Sequence, residues 1–175
     1  MNKYTESSPS QTWETIAKQI EQRHEPSSDV LVLKKQGDGV TVAFVDEPFA
    51  FEAVWEESNG WVPFNEPYVL HQNSQPALRI LINVAVISKP NRKTKPTPMY
   101  WEMGTDTFKK LVRLREKYGL DDWLYSIERL DDDDAEPGYE ILPDGKMDSE
   151  MKNHIAVLPR ICLATTKGLP NPYDQ

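Results

Sequence analysis

Ten consecutive residues of this chain alternate almost without interruption: Leu78-Arg79-Ile80-Leu81-Ile82-Asn83-Val84-Ala85-Val86-Ile87. Successive side chains on a strand point to opposite sides, so Leu78, Ile80, Ile82, Val84 and Val86 share one apolar face. The other face is mixed, with Arg79, Leu81, Asn83, Ala85 and Ile87. A strand this long with one mixed face suits a curved strand shared across a closed barrel. The next segment, Lys89-Pro90-Asn91-Arg92-Lys93-Thr94-Lys95-Pro96, is too basic to be buried. The pair places a cationic loop on the rim of a small sheet.

The neighbouring runs extend that sheet. Residues 30–34 and 40–45 read as strands joined through Gln36-Gly37-Asp38-Gly39, a hairpin signal. Phe49, Phe51, Ala53 and Trp55 alternate with Ala50, Glu52, Val54 and Glu56 as a further, half-buried strand. Ser58-Asn59-Gly60 turns the chain before residues 61–64. Residues 99–103, 123–129 and 139–142 complete the strand candidates, and residues 155–158 and 161–164 read as an edge strand interrupted by Pro159.

One internal helix is predicted at about 105–118. It starts at Gly104-Thr105-Asp106 and stops at Gly119. Phe108, Leu111, Val112, Leu114 and Tyr118 supply its apolar side, with Lys109, Lys110, Arg113 and Lys117 outward. A second, short amphipathic helix at 12–23 carries Trp13, Ile16, Ala17 and Ile20 at helical spacing. It is marginal alone and must dock, either on its own barrel or on a neighbouring subunit. The fold class is therefore mainly β (α+β), a small barrel with one internal helix and an N-terminal helical arm. Its parts are a flexible arm at 1–28, a barrel domain at 29–165 and a tail at 166–175.

Chemistry finds little support. The single cysteine, Cys162, excludes an internal disulfide and a thiolate zinc cluster. His24, His71 and His154 are scattered without ligand spacing. The four aspartates at 131–134 lack the alternating ligands and central glycine of a calcium loop. No nucleophile elbow, phosphate loop or dinucleotide fingerprint occurs. The expectation is no catalysis, no metal and no cofactor. Neither a long apolar span nor a signal peptide is read, so the expected location is intracellular, without membrane contact.

Charge distribution points elsewhere. The net charge is −8, yet residues 89–117 carry 9 basic and 3 acidic side chains, while residues 121–150 carry 2 basic and 12 acidic. Lys89, Arg92, Lys93 and Lys95 cluster in the loop, and Lys109, Lys110 and Arg113 follow on the helix. Phosphate neutralisation needs such clustering. Single-strand binding also needs aromatic platforms, and Tyr100 and Trp101 follow the loop directly, with Trp55, Trp61 and Phe64 as further candidates. On a strand, one of Tyr100 and Trp101 can be core while the other faces out. Each aromatic is read either as core or as platform, and the loop either as solvated or as ligand-binding.

Several stretches together resemble a known family. They are Trp-Glu-Thr-Ile-Ala-Lys in the N-terminal arm, Val-Thr-Val-Ala-Phe-Val-Asp-Glu-Pro-Phe, Ile-Asn-Val-Ala-Val, Glu-Met-Gly-Thr-Asp-Thr-Phe-Lys-Lys-Leu, Tyr-Ser-Ile-Glu-Arg and Gly-Tyr-Glu-Ile-Leu-Pro. Over residues 13–143 the chain resembles the bacteriophage single-stranded DNA-binding proteins built on an OB-fold. The resemblance implies a five-stranded Greek-key barrel with a single-stranded DNA cleft, and roles in phage replication and recombination in the host cytoplasm. It also implies homo-oligomers or cooperative self-association through terminal extensions, here Trp13, Ile16 and Ile20, and contacts with phage replication or recombination proteins. By position it makes binding candidates of Arg79, Lys89, Arg92, Lys93, Lys95, Arg129 and Tyr100 or Trp101. Some relatives hold zinc with Cys and His near the stretch matching 60–76, where this chain has only His71, so zinc is not expected. Several relatives end in an acidic tail, whereas here the acid sits at 131–136. Two rivals remain: a phage structural or adaptor protein using an OB-like barrel for protein contacts, and an acidic DNA mimic that inhibits a host enzyme.

Overall fold

Residues 39–56 form one strand, β1 (Gly39–Glu56), where the periodicity reads as two. The reason lies at Asp46-Glu47-Pro48. Pairing with β3 (Ala77–Ile87) changes register between Val45 and Phe49, and Asp46 takes a left-handed φ of 61°. A bulge of this kind bends a strand without ending it and resets its alternation. The computed structural model describes residues 29–64, 75–87 and 95–170. The chain divides into two units, Met1–Val30 and Leu31–Gln175, and every strand and helix described belongs to the second.

After β1, the short β2 (Gly60–Pro63) folds back on it with Trp61 opposite Trp55. Then come β3, β4 (Thr97–Gly104), α1 (Thr105–Tyr118), β5 (Trp123–Arg129) and β6 (Tyr139–Lys146). Two short helices close the described chain, α2 (Ser149–Ala156) and α3 (Leu163–Thr166). All pairings are antiparallel. The six strands make one sheet in the order β4-β3-β1-β5-β6, with β2 attached to β1. The protein is thus mainly β, and among the described residues the sheet is open, with β4 and β6 at its ends. Those ends meet through side chains, because Trp101 of β4 lies edge-on to Tyr139 of β6 with ring centroids 5.1 Å apart.

The apolar alternation of β3 explains the larger core. Ile80, Ile82 and Val84 point into it beside Val42 and Phe44 of β1, Trp101 and Met103 of β4, and Tyr125 and Ile127 of β5. Leu111 of α1 is buried there, with Phe108 and Leu114 packed against it, while Val112 stays exposed. Leu31 and Leu33 join the same core. Residues 31–34 are not a strand, contrary to the expectation from their alternation. Their inward side chains are real, but the backbone finds other partners: Leu31 N–H donates to the Tyr100 carbonyl at 2.8 Å, and Arg129 donates to the Leu33 carbonyl at 2.7 Å.

The mixed face of β3 is buried too. Ala43, Val45, Ala85, Ile87 and Leu124 pack against Met151 and Ile155 of α2. Residues 155–158 and 161–164 therefore do not form the expected edge strand. Asp148 caps α2, its carboxylate accepting from Met151 N–H at 2.8 Å, and Met151 and Ile155 stand four apart on the covered side. The expected tail from residue 166 is docked at its start, since Lys167 reaches Glu102 on β4 at 2.5 Å.

Candidate functional site

A guanidinium in the middle of a sheet is tolerable only if it is paired. Arg79 is 4% exposed. Its Nε lies 3.3 Å from Glu102 Oε1 and its Nη1 3.0 Å from Glu136 Oε1, and its planar end sits 4.5 Å from the Trp61 ring centroid. Lys167 bonds the second oxygen of Glu102 and, at 3.2 Å, the Trp61 carbonyl. Trp61 Nε1 donates to the Ala135 carbonyl at 2.7 Å. Two cations therefore face two carboxylates, and Arg79 carries no charge to spare for a phosphate in this arrangement. The packing also explains why helix α1 starts on Gly104 without a side-chain cap. A Cβ there would stand 2.5 Å from Glu136 Oε2 and 3.0 Å from Arg79 Nη1.

The aromatic candidates separate accordingly. Trp55 and Trp61 are half-buried and lie edge to face at 5.6 Å. Tyr100 and Trp101 are both buried, so neither is an exposed platform here. Trp101 belongs to the core, and Tyr100 lies on the opposite face of β4, where it pairs in register with Asn83. Asn83 in turn is held by residue 161, donating to its carbonyl at 3.0 Å and accepting from its N–H at 3.2 Å. The C-terminal segment thus covers the face on which an outward aromatic is expected from the alternation.

One exposed cationic surface is on α1. Lys109, Lys110, Arg113 and Lys117 are exposed, as is Lys95 ahead of β4. Lys89, Arg92 and Lys93 lie outside the described residues, as do Trp13, Ile16 and Ile20. Lys110 donates to the Tyr139 carbonyl at 2.7 Å, which ties α1 to the end strand β6. Between them runs a groove of about 490 Å³, lined by Lys110, Arg113 and Lys117 on one side and by Leu130, Tyr139 and Leu142 on the other. Leu130 and Leu142 are exposed.

At the end of this groove lies a cluster that the sequence pattern does not assemble. Tyr118 closes α1 and Trp123 opens β5, with ring centroids 5.5 Å apart. Lys117 Nζ stands 5.0 Å from the Tyr118 ring, and Lys146 Nζ 5.7 Å from the Trp123 ring. Periodicity puts Tyr118 on the apolar side of the helix and Trp123 on a strand. Only the pairing of Trp123 with Lys146 across β5 and β6 brings the fourth member in.

Asp122 next to Trp123 is bound by Lys152 of α2. That hydrogen bond, then the lysine's charge, holds the carboxyl below its ordinary value of 3.8. A depressed carboxylate contributes stability above its unfolded value and loses it as pH falls through the folded one. Lys152→Ala should therefore return the Asp122 titration, followed by carboxyl NMR, toward 3.8. Any stability gap from wild type should close below that pH; a gap that persists in acid would assign the effect to another contact.

Arg129, a further candidate by position, is 5% exposed and spent on the acidic loop and its neighbour. It donates to the carbonyls of Leu33, Lys34, Asp131 and Asp133. The loop aspartates are exposed but also bond within the loop: Asp131 accepts from Asp133 and Gly138 N–H, and Asp133 from Ala135 and Glu136 N–H. Such bonds explain four adjacent aspartates as a self-capped loop.

Among the described residues no group of three or more His, Cys, Asp or Glu is placed to hold a metal ion, and no helix is long and apolar enough to cross a membrane. No protein-family model, curated protein or solved structure matches this chain.

Proposed function

We propose that the chain is a non-catalytic, sequence-tolerant single-stranded DNA-binding protein of the bacteriophage type, acting in replication or recombination. The observation that carries this reading is the exposed cationic face of α1, Lys109, Lys110, Arg113 and Lys117, in a protein of net charge −8. Lys109 lies 3.6 Å from Asp106 on the same helix, and a polyphosphate chain rewards a row of exposed cations such as this one.

The strand order supports an OB-type barrel. Five long strands follow the path β4-β3-β1-β5-β6 with a helix between β4 and β5, and OB barrels are five-stranded, Greek-key and partly open. Closure of the barrel, self-association through Trp13, Ile16 and Ile20, and contacts with phage replication proteins belong to the same proposal.

The basic segment ahead of β4 is part of the proposed site. Each phosphate contact on a single strand contributes about 0.7 to the slope of log affinity against log salt. Replacing Arg92, Lys93 and Lys95 together by Ala should lower affinity for an oligo(dT) and flatten that slope by roughly 2. An unchanged slope would remove the segment from the site.

A further inference from the structure

We infer that the groove between α1 and β6 is a single-strand track, with Tyr118 and Trp123 as its base-stacking end and Lys110, Arg113, Lys117 and Lys146 as its phosphate contacts. This deepens the proposed function and rests on it. Three observations converge on the groove. First, it gathers cations: three from α1, with Lys146 beyond, against Glu140 as the one carboxylate among its lining residues. Second, its floor is apolar and open, since Leu130 and Leu142 are exposed. Third, its lining ring Tyr118 stands 5.5 Å from Trp123 just beyond, both rings half-buried and each with an ammonium near it.

These features match a nucleic acid strand better than an acidic peptide. Carboxylates and aliphatic side chains would use the lysines and leucines but have no need of the aromatic pair. A nucleobase stacks on any aromatic face regardless of sequence. The lysines beside the rings are on flexible stems, so an entering base can displace each ammonium toward the flanking phosphate. Arg79 and Lys167 offer no such site, because both are already balanced by Glu102 and Glu136.

The test uses the full chain and fluorescence anisotropy of a labelled oligo(dT) at low salt. Lys117→Glu with Lys146→Glu changes only exposed side chains, and should weaken binding on the order of tenfold or more, since each removes a phosphate contact and adds repulsion. Lys34→Glu with Lys35→Glu makes the same charge change on the exposed approach to β1, and should change affinity less than about threefold, because neither residue lines the groove. Tyr118→Leu should cost roughly 5- to 150-fold, the range of one lost stack, and Tyr118→Phe should restore it. If wild type binds but the two charge reversals act equally, or neither acts, the track is wrong while the proposed function stands. If wild type binds no oligo(dT), both fall. Displacement of the oligonucleotide by a polyglutamate of equal charge with equal potency would overturn the stacking site and leave only an anion groove.

Discussion

Trp101→Ala is expected to lower the stability of the fold by about 3–5 kcal/mol, the usual cost of removing a large buried aromatic. Trp101 is 2% exposed. Its ring contacts Tyr139 at 5.1 Å and Phe44 at 6.4 Å, so it joins the two open ends of the sheet through the core. No backbone ladder among the described residues replaces that contact. For a chain of this length each kcal/mol moves the melting temperature by roughly 2–4 °C. Thermal unfolding followed by circular dichroism should therefore fall by roughly 6–20 °C. Trp101→Phe keeps an aromatic edge against Tyr139 and should lose less. A Trp101→Phe protein that kept its melting temperature but lost affinity for single strands would contradict the burial account and make the ring a platform after all.

Arg129→Met should cost about 2–4 kcal/mol, because a hydrogen-bonding group is removed and its acceptors are left behind. The Nε and both terminal nitrogens of one guanidinium reach the carbonyls of Asp131, Leu33, Lys34 and Asp133, and approach Asp134 at 3.5 Å. The bond to Leu33 is fully buried. The same residue is the central cation among the aspartates at 131–134, so its loss also sets them against one another. Urea unfolding should show the lowered midpoint, and added salt should recover part of it by screening that repulsion. Arg129→Lys should rescue poorly, since a single ammonium cannot span acceptors on two segments. Equal midpoints for Arg129→Lys and wild type would show that charge alone matters and that the geometry does not.

Much of the scaffold is legible in the sequence because its residues repeat at a fixed period. The alternation of 78–87 becomes β3, and the run from Thr105 to Tyr118 between two glycines becomes α1. Elements whose partners are distant are not legible. Nothing near Asp46 announces that the strand continues through it; that follows from β3 lying alongside and from Arg160 bonding Asp46 at 2.6 Å. Residues 155–158 form a short apolar run, which strand and helix share, and the deciding cap at Asp148 sits in a stretch that reads as polar loop.

The site is read from charge, and charge gives type without placement. Clustering singles out Lys109, Lys110 and Arg113, and all three are exposed. Arg79 stands out by its position on a mixed face, and only the fold reveals Glu102, Glu136 and Trp61 around it. Tyr118 and Trp123 carry no motif at all. The pairing of Trp123 with Lys146 depends on β5 and β6 meeting in register.

Single-strand binding is tested by tryptophan fluorescence during titration with unlabelled oligo(dT). The titration is repeated over a range of salt concentrations. Quenching is expected at low salt and should weaken steeply as salt rises, because bases stack near tryptophan and phosphates meet α1. A folded sample whose fluorescence does not change at low salt would contradict single-strand binding and favour the adaptor reading.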